Sequence, residues 1–104
     1  MAKGLGNMMK QAQQMQQKMM RIQEEMEQRE VEASAGGGMV TAVVNGKQQV
    51  LSIKIDPGVV DSDDVEMLQD LIMVAINDAI GRSQEMMQQE MAKLTGGMNI
   101  PGLF

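Results

Sequence analysis

The side chains of this chain that could do chemistry are amines, guanidinium groups, carboxylates and amides; histidine and cysteine are absent. Without them the usual general base and thiol nucleophile are missing, and the few serines fall in turns or on helices with no base in view. No enzyme is expected. The most suggestive cations are Lys3, Lys10, Lys18 and Arg21, because residues 1–23 hold these four and no acid. Such a run can contact phosphates, with Gln14 as an amide able to bond phosphate or adenine edges. Arg82 and Lys93 are weaker candidates for the same work. The competing reading is a solvated face that keeps a Gln-rich helix soluble, and residue types alone leave the two even.

Two other clusters dissolve on inspection. Gly36-Gly37-Gly38 lies between two strands, whereas a phosphate loop leads from a strand into a helix, so it is a turn. Asp61-x-Asp63 begins like a calcium loop. Val65, Glu66 and Ile72 then occupy the fifth, sixth and twelfth positions, where that loop needs an oxygen ligand, glycine and glutamate. These acids read as helix-start chemistry, and no metal or other cofactor is expected.

The net charge of −5 conceals an uneven pattern. Residues 1–23 sum to +4, 24–32 to −4, 33–55 to +2, 56–70 to −6 and the remainder to −1. Overall acidity argues against nucleic acid as a partner, but a segregated positive arm argues for it, since the local field governs a contact. With 104 residues and Phe104 as the one aromatic, the core must be Val, Ile, Leu, Ala and some of the 14 Met. A core that small calls for oligomerisation, so a homodimer is expected. No apolar run reaches the length of a membrane span, and the start of the chain lacks the apolar stretch of a signal peptide. A soluble, cytoplasmic protein is expected, with neither a membrane nor a small-molecule substrate as partner.

The elements that position these groups are legible from periodicity. Leu5, Met8, Ala12, Met15, Met19, Ile22 and Met26 repeat at spacings of 3 and 4. That narrow seam predicts a helix over 5–29 that packs on another helix. Residues 30–57 read as a three-stranded antiparallel meander, with strands at 30–35, 39–44 and 48–55. Asn45-Gly46 predicts a two-residue type I′ turn, with Val44 opposite Lys47, Ala42 opposite Gln49 and Val40 opposite Leu51. A like turn at Gly36-Gly37 sets Ala33 opposite Val40 and Val31 opposite Ala42. One face then collects Val31, Ala33, Val40, Ala42, Val44, Leu51, Ile53 and Ile55. The other carries Glu32, Ser34, Met39, Thr41, Val43, Val50, Ser52 and Lys54, of which Met39, Val43 and Val50 most need a dimer partner to cover them. Asp61 or Ser62 can cap a second helix over 62–94, whose broad stripe from Val65 to Ile80 suits a sheet. Its thinner continuation, Met87, Met91 and Leu94, suits the seam of the first helix, Met8, Met15 and Met19. The expectation is an α+β fold in one domain, 1–95, with paired helices forming an arm below the sheet, or alternatively the first helix folded back over the mixed face, and a flexible tail, 96–104.

Met9-Lys10-Gln11-Ala12-Gln13 in the first helix, Ile55-Asp56-Pro57 after the hairpin, and Asn77-Asp78-Ala79 within the second resemble the YbaB/EbfC family of bacterial nucleoid-associated proteins. The likeness runs along nearly the whole chain. It implies a tweezer-like homodimer with helical arms that binds duplex DNA in the bacterial nucleoid, and a functional link to recombinational repair. It favours phosphate contacts for the arm lysines. Gly81 departs from the family pattern, which commonly has a bulkier or basic residue there. An alternative stands on form alone: long helices joined through hairpins, with Met-rich seams, are similar to prefoldin subunits and would serve as a protein-binding or chaperone-type scaffold.

Overall fold

The computed structural model describes residues 2–95, with side chains from Gly4 to Leu94. Helix α1 (Ala2–Gln28) leads into strands β1 (Glu30–Ala35), β2 (Val40–Asn45) and β3 (Val50–Ile55); a short 3-10 turn (Pro57–Val59) precedes helix α2 (Val65–Thr95). The sheet is antiparallel in the order β1-β2-β3. The expected tail, 96–104, lies outside the described residues. The molecule is long and thin, 73 × 25 × 16 Å.

Both hairpins differ from the expected register, each by an even number of residues. Ala35 pairs with Val40 and Ala33 with Ala42, so the first connection has four residues, with Gly36, Gly37 and Gly38 all at positive φ. Met39 therefore lies in the turn and not in a strand. In the second hairpin Val40 pairs with Ile55 and Ala42 with Ile53, four residues from the type I′ expectation. Even shifts keep each side chain on its face, which is why Val31, Ala33, Val40, Ala42 and Val44 still share the side that α2 covers. A register slip between Val43 and Val44 then sets Val50 opposite Val44. By that register Val50 joins the α2 side of the sheet, not the outer face expected of it.

The Asn45-Gly46 pair fails as a type I′ turn for a physical reason. Gly46 is not at positive φ; the left-handed residue is Gln48, at φ 65°. Gln48 N–H donates to the Asn45 carbonyl at 3.0 Å, and Asn45 N–H to the Gln49 carbonyl at 3.0 Å, closing a longer loop. The Asn45 side chain holds that loop by accepting from the N–H groups of Lys47 and Gln49, each at 3.0 Å. Gly46 serves a close approach instead: its N–H donates to the carbonyls of Met26 at 2.7 Å and Arg29 at 3.0 Å.

Helix α2 starts at Val65, later than expected, and Asp64 caps it by accepting from Met67 N–H at 3.2 Å. Asp61 and Ser62 lie before it. The helix runs through Gly81 without interruption. Ala75, Ala79 and Ser83, four residues apart, are all fully buried, a row of small side chains that lets the helix lie close on β1 and β2. The core is therefore Ala33, Ala35, Val40, Ala42, Val44, Ala75 and Ala79, flanked by half-buried Leu71, Ile72, Ile76 and Ile80. The expected contribution of Leu51, Ile53 and Ile55 to that core is absent. Helix α2 packs chiefly across β1 and β2, and all of β3 is exposed. Three strands are about 14 Å wide against a helix of about 10 Å, so one helix cannot cover them.

Candidate nucleic-acid interface

The arm forms because α1 meets the lower part of α2. Met26 is fully buried, and Met15, Met19 and Ile22 are half-buried, as are Met87, Met91 and Leu94 on α2. From Met26 back to Ala2 the helix rises about 36 Å, while α2 extends only about 18 Å beyond Ser83. The first half of α1 consequently overhangs, and residues 4–14 are all exposed. Met8, expected within the paired seam, is 68% exposed, and Leu5 is 64% exposed.

A compact hub sets the angle of this arm to the sheet. Ser83 hydroxyl, fully buried, donates to the Asn45 carbonyl at 2.7 Å, so α2 grips the same loop that Gly46 presses on α1. Arg29 Nη1 donates to Glu90 Oε1 at 3.0 Å, and Lys93 Nζ reaches the same oxygen at 3.1 Å. The hydrogen bond from Lys93, then that from Arg29, holds the Glu90 carboxyl below its ordinary range. Sequence reasoning missed this hub. Its available signal was Ser83, a polar residue continuing the spacing of Ala75 and Ala79 on the sheet-facing stripe.

The sequence-predicted contacts separate into two groups. At about 100° per residue, Lys3, Lys10, Gln14, Lys18 and Arg21 fall within about 80° of one another around α1. The seam occupies a different arc, so burying it on α2 leaves the basic arc outward. Lys10, Gln14, Lys18 and Arg21 are exposed, and none of these three cations belongs to an ion pair among the described residues. The Lys3 side chain lies outside the described set. From Lys3 to Arg21 the arc is about 27 Å long, the rise of about eight base pairs. Arg82 and Lys93 stand apart from it. Arg82 Nη1 donates to the Glu32 carbonyl on the outer edge of β1 at 2.9 Å, and Lys93 is joined to Glu90.

The remaining candidates are dispersed. Met39 is exposed in its turn, Val43 is half-buried on β2, and Val50 lies on the bare third strand. Among the described residues no group of three or more His, Cys, Asp or Glu could hold a metal ion. No helix there is long and apolar enough to cross a membrane.

A three-stranded meander between two long helices, one of them overhanging as a basic arm, defines a small, extended α+β protein. The chain belongs to the YbaB/EbfC DNA-binding family, whose sequence profile matches residues 1–98. It is 59% identical over 104 residues to a nucleoid-associated protein of Desulforamulus reducens, an alignment covering 100% of this chain and 99% of that one. It is 58% identical over 100 residues to a nucleoid-associated protein of Thermoanaerobacter pseudethanolicus, covering 96% of this chain and 90% of the relative. Its fold is similar to the crystal structure of an uncharacterized protein from Helicobacter pylori, with a TM-score of 0.65 at 24% identity over 79% of this chain and 94% of that one.

Proposed function

We propose that the protein binds duplex DNA as a homodimer, through the basic arc of its α1 arms, and helps organise the nucleoid in the bacterial cytoplasm. The observation that carries this reading is the outward arc of Lys10, Lys18 and Arg21, exposed and without an ion pair among the described residues, with Lys3 continuing the same acid-free run in sequence. Those cations contact phosphates, and Gln14 lies between them to bond phosphate or a base edge. Arg82 and Lys93 contribute less, being engaged at the β1 edge and at Glu90.

The dimer supplies the second arm. Val50, Leu51, Ile53 and Ile55 are 45, 48, 39 and 37% exposed on a strand with an unpaired outer edge. This apolar strand, with Met39 beside its end, is the surface that most needs a second copy, and Val43 adds a half-buried apolar residue on the other face of the sheet. The protein-binding scaffold has no comparable support, since both sequence relatives above are named as nucleoid-associated proteins.

A gel shift on duplex DNA over a salt series tests the reading. Two arms neutralising about four to eight phosphates give a slope of log K against log salt of roughly −4 to −7. Lys10→Ala should weaken binding similarly on unrelated duplexes and make the slope shallower by about one to two. If Lys10→Ala with Lys18→Ala leaves affinity and slope unchanged, the arm is not the DNA-binding element.

A further inference from the structure

The pole opposite the arm tip carries an open groove of about 630 Å³ between the end of β1 and the start of α2. Its wall is apolar, from Met67, Leu71 and Val74, and Asp64, Glu66 and Asp70 line its rim. Asp64 is occupied as the α2 cap, but none of the three acids has a cationic partner among the described residues. Met67 and Val74 are among the exposed large hydrophobic residues of the chain. This is an apolar cleft with uncompensated negative charge, on the β1 side of α2 and away from the bare strand β3.

We propose that the groove receives the α1 arm tip of another copy of this chain, joining molecules head to tail. The complementarity is between two surfaces already described. The tip exposes Leu5, Met8 and Met9 next to Lys10, with no acid in residues 1–23, whereas residues 56–70 sum to −6. The tip cannot fill the groove of its own chain, because the two lie at opposite ends of a 73 Å molecule. A tip-to-groove contact uses different patches on the two partners, so it leaves a free groove and a free tip at the ends and propagates as an open chain. This inference rests on the arm being an exposed cationic helix, as in the DNA-binding reading, but not on DNA itself. It adds regulation: a tip seated in a groove is withheld from phosphate, so assembly and DNA contact compete for Lys10.

Sedimentation at about 20 mM and about 300 mM salt tests it, since screening removes an exposed charge contact across that range. The wild type should show species larger than the dimer at low salt and collapse to the dimer at high salt. Glu66→Gln with Asp70→Asn, which spares the Asp64 cap, should abolish the larger species, and so should Lys10→Glu. Joining Lys10→Glu to Asp70→Lys should restore them. Larger species that persist in the Glu66→Gln, Asp70→Asn protein, or none in the wild type at low salt, would overturn the proposal. A gel shift on the same groove variant separates the two readings. Retained duplex affinity with lost assembly is expected here, whereas duplex affinity lost with assembly would show that the groove variant damages the arm and overturn the assignment.

Discussion

Gly46→Ala is the sharpest probe of how the arm is attached. A Cβ at this position would lie 2.7 Å from both Met26 Cβ and the Met26 carbonyl oxygen, and 3.0 Å from Met26 Cα. Two of those atoms are backbone, and Met26 is fully buried, so no flexible side chain can swing aside. The end of α1 must move by about 1 Å to restore an ordinary van der Waals gap. That displacement stretches the two hydrogen bonds from Gly46 N–H, at 2.7 and 3.0 Å. Together they contribute about 1–3 kcal/mol, and overpacking adds about 1–3 kcal/mol. The expected loss is about 2–6 kcal/mol in urea denaturation at fixed protein concentration. Because Gly46 is not at positive φ, none of this comes from backbone strain. Gln48→Gly is the matched control. Gln48 sits at φ 65°, where a side chain costs about 1 kcal/mol, so glycine there should be neutral or stabilising. In a type I′ hairpin the outcomes would reverse in origin: Gly46 would be strained and Gln48 an ordinary strand residue weakened by glycine. A neutral Gly46→Ala, or a Gln48→Gly that loses stability, would refute the loop as described.

Gly81→Ala should stabilise the protein by about 0.5–1 kcal/mol in the same denaturation assay, since an added Cβ meets nothing within 4 Å and alanine is the better helix former. Met15→Asp places a charge in the α1–α2 seam; hydrogen exchange should rise in residues 5–26 and 84–94 and stay slow in 40–45, and uniform loss of protection would show that arm and body do not fold separately. The depressed carboxyl of Glu90 contributes stability above the ordinary glutamate range that is lost as pH falls through its lowered value. Glu90→Gln should remove that part of the acid dependence, and an unchanged pH profile would place the dependence elsewhere. Val50→Lys should weaken the dimer by light scattering, and an unchanged mass would exclude the bare third strand as the interface.

Period and charge sequence were enough to determine the elements, their order and the faces of the sheet. The seam of α1 and the stripe of α2 are periodic over several turns, and strand side chains alternate, so misjudged turn lengths shifted the pairings by two or four residues without exchanging faces, except at Val50, which the slip after Val43 turned to the α2 side. The basic arc was legible too, because an acid-free run on a regular helix needs no partner to be read. Register and the third strand were decided only in three dimensions. Asn45-Gly46 satisfies either a tight turn or a close approach, and the choice fell to the carbonyls of Met26 and Arg29, nearly 20 residues away in sequence. Ile53 and Ile55 have the pattern of core residues. They stay exposed because one helix, seated by Ala75, Ala79 and Ser83 on β1 and β2, is too narrow to reach β3. Arg82 reads like any other surface cation until the fold brings the Glu32 carbonyl to within 2.9 Å of it. Local pattern specifies what each element can bury; which surface it meets depends on lengths and widths that only the packed chain compares.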